Sequence, residues 1–207
     1  MAAKIENSDQ PKRIGRPRSE AASAHEAILD AVHALLQEKS VRELTMEAVA
    51  KRAGVGKPTL YKWWPSKAAL VFAMFHERLT TKPATLLTET VEQSIRSRVR
   101  GLIVNFQGLF GKVMTELIAE GQNDPALMRE LYDQHIGERR ASIIAEIEHA
   151  KASGEFRANV DSELLVDEII GPIYYRMLLR IAPLDEAYGD RLIDQVLFGV
   201  RIITPNT

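Results

Sequence analysis

Apolar side chains recur along nearly the whole chain at the three-and-four spacing of an amphipathic helix, with no convincing two-residue alternation and no Asn-Gly or Asp-Gly hairpin signal. From Ser23, the positions Ile28, Leu29, Val32, Leu35 and Leu36 make one stripe that runs to about Glu38. Thr45 can cap a short helix whose Met46, Val49, Ala50 and Ala53 face inward before Gly54 ends it. A third helix starts near Lys57, tolerates Pro58 in its first turn, and stops at Trp63 ahead of Pro65. Ser66 caps a fourth, with Leu70, Val71, Met74, Phe75 and Leu79 on its stripe, ended by Lys82-Pro83. Residues 1 to about 20 lack any stripe and hold Pro11, Gly15 and Pro17, which predicts a disordered basic arm.

Beyond Pro83 the pattern stays helical. One long helix is expected from about Thr88 to Phe110, with a shorter continuation carrying Val113, Met114, Leu117 and Ile118. Asp124-Pro125 opens another, through roughly Ala152 and closed by Gly154. Asp161 caps a helix from about Ser162 to Ala182, in which Gly171-Pro172 should produce a kink. The last runs from about Asp185 to Ile203. The fold class is therefore all-α, with an N-terminal three-helix unit (21–82) and a larger helical bundle (83–207).

Composition narrows the function. The chain has 207 residues, 45% of them hydrophobic, and no cysteine, which excludes disulfides, thiolate catalysis and Cys-based zinc sites and fits a reducing cytoplasm. Charges at Lys4, Glu6, Asp9, Lys12 and Arg13 argue against a secretory signal, and Asp167, Glu168, Arg176 and Arg180 interrupt the longest apolar run, so no membrane partner is expected. The net charge of −1 conceals a division: through Lys67 there are 12 Lys/Arg against 8 Asp/Glu, and after it 15 against 20. A basic front on an acidic body suits a polyanion-binding module, although an imbalance this small also arises by chance. Carboxylates at Glu116, Glu120 and Asp124 share a helical face, but no Glu-x-x-His or His-Glu-x-x-His spacing and no Gly-rich phosphate loop accompanies them, so catalysis, metal and cofactor are not expected.

Thr45 to Lys67 carries the most information. Two short helices meeting at Gly54, with small Ala50 one turn earlier, form a helix-turn-helix pattern, and Lys57, Thr59, Tyr61 and Lys62 give its second helix donors of different reach while Val55 and Leu60 pin it to the core. The pattern favours DNA binding, although short helical corners of this kind are also common in all-α proteins, and a helical protein-binding adaptor with a degenerate helix-turn-helix is the alternative. The stretch resembles the N-terminal signature of the TetR/AcrR family of bacterial regulators through Ile28-Leu29, Ala31, Leu35-Leu36, Thr45, Ala50, Ala53-Gly54-Val55, Thr59-Leu60-Tyr61 and Ser66-Lys67. It departs from that signature at Trp64, where Phe is commoner, at Pro58, and at Ser40, where Gly is frequent.

The resemblance implies a ligand-released repressor acting as a homodimer on a palindromic double-stranded operator. It implies that Thr45, Thr59, Tyr61 and Lys67 hold phosphates, that Gly56, Lys57, Pro58 and Lys62 lie near base edges, and that Trp63 serves either purpose. Arg13, Arg16 and Arg18 resemble a minor-groove arm, with plain electrostatic attraction as the alternative. Tyr61, Trp63 and Trp64 could instead be packing residues. The last two helices would form the dimer interface, and the helices between Thr88 and Ala152 would enclose a small-molecule effector. Candidate lining residues are Phe106, Phe110, Met114, Ile118, Met128, Tyr132, His135, Tyr174 and Tyr175, although an aromatic stripe at helical spacing is more often core than pocket.

Overall fold

The computed structural model describes residues 18–79 and 90–201. The chain is helical throughout these segments, and the one extended feature among the described residues is an isolated antiparallel bridge between Phe156 and Arg201.

The first unit comprises α1 (Arg18–Glu38), α2 (Met46–Ala53), α3 (Lys57–Trp63) and α4 (Lys67–Met74), the last continuing into a π-helical turn, Phe75–Leu79. Helix α1 begins at Arg18, five residues before the apolar stripe does, in a stretch that includes the strong helix formers Glu20, Ala21 and Ala22. Local chemistry sets the other boundaries. The Thr45 hydroxyl accepts the Ala48 amide at 3.1 Å, and the Ser66 side chain accepts the Ala69 amide at 2.9 Å. Gly54 ends α2 in the left-handed region at φ 67°, where a side chain would be strained, and its N–H returns to the last turn of α2. Ile28, Leu29, Val32, Leu36, Val49, Leu60 and Leu70 close a core around these helices.

The body comprises α5 (Val91–Phe106), α6 (Leu109–Gly121), α7 (Pro125–Leu131), a second π-helical turn (Tyr132–Ile136), α8 (Gly137–Ser153), α9 (Ser162–Leu179) and α10 (Glu186–Phe198). The expected helix from Thr88 to Phe110 is instead broken at Gln107-Gly108, where α5 and α6 meet at 83°. Gly108 takes an extended conformation at the corner, and a Cβ on Gly111 would collide with the carbonyl oxygen of Phe106, so the corner depends on that missing side chain. Phe110 therefore belongs to α6. Helix α9 passes through Pro172 without ending and stops at Arg180, in left-handed conformation at φ 52°. Residues 80–82, where the fourth helix is expected to end, lie outside the described residues, whereas the last helix, expected to reach about Ile203, stops at Phe198, where Gly199 and Val200 turn the chain into the Arg201 bridge.

Charge networks at its surface tie the helices of the body together. Arg96 on α5 holds Glu92 at 3.0 Å together with Asp190 and Asp194 of α10 at 3.4 and 2.6 Å. On the other side Arg140 of α8 grips Glu163 and Asp167 of α9 at 2.5 Å each. No single helix among the described residues is long and apolar enough to cross a membrane.

Candidate nucleic-acid interface

Helix α3 is fixed from beneath by Leu60, which is fully buried, and by Trp64 just past its end, which is 7% exposed. Trp64 is therefore a packing residue; its ring lies 4.9 Å from that of His25 on α1 and edge-on to Trp63 at 5.7 Å. Trp63 is half-buried and also meets His25, at 5.5 Å, so packing accounts for much of it. Two short helices anchored in this way leave the opposite side of α3 free. Gly56, Lys57, Pro58, Tyr61 and Lys62 are exposed there, with Thr59 half-buried. Tyr61, at 52% exposure, lies outside the core. The Lys57 ammonium pairs loosely with Glu47 of α2 at 3.1 Å, both side chains being more than half exposed, an arrangement that a stronger anion can displace at little cost. Thr45 is exposed at the start of α2, which its hydroxyl caps.

Lys67 is placed differently. Its Nζ donates to the carbonyl oxygen of Val41 at 2.8 Å and lies 4.0 Å from Glu120 of α6, away from the α3 face. Arg13 and Arg16 lie outside the described residues, and Arg18 is the first residue of α1.

The Val41 contact belongs to a clamp that the sequence did not suggest. Glu116 of α6 accepts the Val41 amide at 2.6 Å, so both polar groups of that residue are held from outside the loop. Lys112, one turn earlier on α6, donates to the carbonyls of Leu36 and Lys39 at 2.8 and 2.9 Å, satisfying the free C-terminal end of α1. Ser66, the cap of α4, donates to Glu130 of α7 at 3.3 Å. The carboxylates of Glu116 and Glu120, one helical turn apart in the sequence, were the available signal.

Helix α6 also carries one side of an aromatic cluster. Phe110 lies 4.7 Å from Phe75, 5.6 Å from Phe106 and 5.2 Å from the His135 ring, while Phe106 meets Tyr174 edge-on at 5.1 Å. Phe75 and His135 close the ring at 5.8 Å. Burial pushes the His135 imidazole down to about 3, helped by the positive charge of Arg139 and by His76. Tyr174 is pushed up to about 12 by burial and stays protonated. Of the other expected lining residues, Met114 is fully buried, Ile118 half-buried, and Met128 packs over Gly121. Tyr132 and Tyr175, at 49% and 55% exposure, stand outside the cluster. In the sequence Phe75 shows only as a stripe residue of the fourth helix, and nothing there singles out Arg139, one turn beyond His135.

Two short helices crossing at a left-handed Gly54, the second presenting an exposed donor face, define a helix-turn-helix DNA-binding module, here clamped to a helical body with an aromatic interior. Residues 28–74 match the model for bacterial regulatory proteins of the tetR family, and residues 85–196 match that for the tetracyclin repressor-like C-terminal domain. The HTH-type transcriptional regulator YdeS of Bacillus subtilis is 35% identical over 192 residues, covering 93% of this chain and 96% of YdeS. The DNA-binding transcriptional repressor TetR of Mycobacteroides abscessus is 26% identical over 155 residues, 74% of this chain and 80% of that protein. The crystal structure of the TetR family transcription regulator SCO0332 superposes with a TM-score of 0.67 at 31% identity, covering 88% of this chain and all of that one. The chain belongs to the TetR family of DNA-binding transcriptional regulators.

Proposed function

We propose that this regulator is a repressor that binds a palindromic operator as a homodimer and leaves it when a small molecule enters the body, and that it works in the cytoplasm. The observation that carries this reading is the double engagement of α6, whose Lys112 and Glu116 hold the α1–α2 connection while its Phe110 lies in the aromatic cluster. Anything that separates the rings displaces α6 and, through Val41, the module that presents α3. A ligand that favours the displaced arrangement shifts the population toward dimers whose recognition helices no longer match successive major grooves.

In this reading Lys57 and Lys62 reach base edges with Gly56 and Pro58 close against them, and Thr45, Thr59 and Tyr61 hold phosphates. Lys67 joins the phosphate set only by releasing Val41, so its role is split between DNA and clamp. The units divide at about residue 82, and Arg13 and Arg16 of the basic arm, with Arg18 at the start of α1, contribute electrostatic attraction.

A second copy of the chain is the partner proposed for the α9–α10 face. Leu164, Tyr175 and Leu179 share one side of α9 and are 55% exposed each, and Phe198 on α10 reaches 71%. Large apolar groups gathered on one face mark an association surface. Sedimentation of the protein alone and with duplex DNA from beside its own gene tests the reading: a dimer that binds the duplex as a dimer is expected, and a monomer at micromolar concentration overturns it.

A further inference from the structure

Beside the aromatic cluster lies a charge that no carboxylate among the described residues balances. Arg139 lies on α8, one turn after His135, and its Nη1 is 2.7 Å from His135 Nε2. A guanidinium can only donate, so Nε2 accepts, and His135 is the neutral tautomer with its proton on Nδ1. The pair thus carries one full positive charge. Tyr174, close enough for the Arg139 charge to act on its hydroxyl, is protonated and adds none.

Arg140, the next residue, shows how this protein treats a guanidinium that only needs an anchor, for it takes two carboxylates from α9. Arg96 takes three and Arg98 takes Glu146. Among the described residues, no carboxylate lies within ion-pair distance of Arg139, although it is drawn into the body far enough for burial to lower its pKa. Such a charge in an apolar surrounding is costly unless an anion joins it.

The backbone around it is unusual as well. Phe75 opens the π-helical turn after α4, and His135 lies on the π-helical turn before α8, so both π-helical turns supply rings to this one cluster. Single π turns concentrate where a protein binds something, because they place a side chain off the regular helical register.

We infer that the effector of this domain is an amphipathic organic anion, its apolar body lodged among Phe75, Phe106, Phe110 and Tyr174 and its acidic group paired with the Arg139 guanidinium. This deepens the effector-responsive reading above and rests on it. The anion pairs with the Arg139 guanidinium, and its body parts Phe75 from Phe110, the contact between the end of α4 and α6. Guanidinium offers two parallel N–H donors to a carboxylate or sulfonate, which gives the site a preference for acids over alcohols and esters of the same shape.

The test uses two fluorescent probes of one shape, 8-anilinonaphthalene-1-sulfonate and N-phenyl-1-naphthylamine, which differ in the sulfonate. Wild-type protein should bind the sulfonate more tightly. Arg139→Gln should weaken it about tenfold or more while changing the neutral probe little, and Phe106→Leu should weaken both. Circular dichroism melting confirms that each variant is folded, and Arg139→Lys should recover part of the sulfonate affinity. Equal affinity of the wild type for the two probes, or an unchanged ratio in Arg139→Gln, overturns the inference. DNA binding is measured separately by mobility shift: a sulfonate preference in a protein that binds no DNA overturns the repressor reading and leaves the anion site standing.

Discussion

On α3, Lys57, Pro58, Tyr61 and Lys62 stand in water, whereas Phe75, just past the next helix, and Phe106, Phe110 and His135 of the body are sealed from it. The exposed set contributes little to folding, so its residue types are free to suit a partner. In the sealed set each ring is also a packing element, so binding and stability are coupled. The two regions meet at α6, which touches the first unit with Lys112 and Glu116 and the cluster with Phe110. Mutations should therefore separate into those that change DNA binding without stability, those that change stability first, and a small group that changes the link.

The largest effect is expected from the sealed side. Phe110→Ala leaves a cavity among Phe75, Phe106 and His135 and should cost about 3–5 kcal/mol in a urea melt. Tyr61→Phe should leave the same melt within about 0.5 kcal/mol of wild type. Similar losses from the two would dissolve the contrast.

Next comes the pH response of the cluster. His135 is held neutral by burial, by Arg139 on its own helical face, and by His76, with its folded pKa near 3. Its depressed value means that the stabilisation is complete above the unfolded pKa of about 6.5 and is lost as pH falls below it. Between pH 6.5 and pH 5 the loss should approach about 2 kcal/mol. Chemical denaturation at both pH values measures it. A His135→Gln variant should lose that part of the slope, and an unchanged slope would place the titration elsewhere.

On α3 the expected effects are on selectivity. Lys57→Ala or Lys62→Ala should change base preference at one position of the half-site by about tenfold or more, while Tyr61→Phe weakens all sequences alike. Binding selections on a randomised half-site measure this, and uniform weakening by Lys62→Ala would move that residue to the phosphate group.

The smallest change concerns the clamp. Glu116→Gln exchanges a charged acceptor for a neutral one at the Val41 amide and should cost about 1 kcal/mol of stability while reducing the response of DNA affinity to the effector. A fully retained response would remove α6 from the coupling route.

The same division governs what the sequence made legible. Helices α2 and α3 and the start of α4 could be placed closely because single residues with local effects mark them: Thr45 and Gly54 bound α2, Pro65 follows α3, and Ser66 caps α4. The family signature there made the exposed face legible too. The corner between α5 and α6 was not, because Phe106 and Phe110 keep helical spacing across it and periodicity carries no sign of an 83° turn. The inward placement of Lys67 and the open charge of Arg139 depend on what lies opposite in space, and a residue's spacing along the chain does not record that. Of the expected lining residues, Phe106, Phe110, His135 and Tyr174 come together, and Tyr132 and Tyr175 do not, since one helical stripe cannot tell the inner side of a bundle from a face left for a partner.

The central claim, that the exposed face of α3 recognises DNA, is tested most directly by titrating a duplex from beside the protein's own gene at several salt concentrations, with wild type and with a Lys57→Ala/Lys62→Ala double variant. The account predicts wild-type binding that weakens steeply as salt rises, and a double variant that folds normally yet loses both affinity and part of the salt slope. A double variant that binds the same duplex as tightly as wild type, with the same salt dependence, would contradict it.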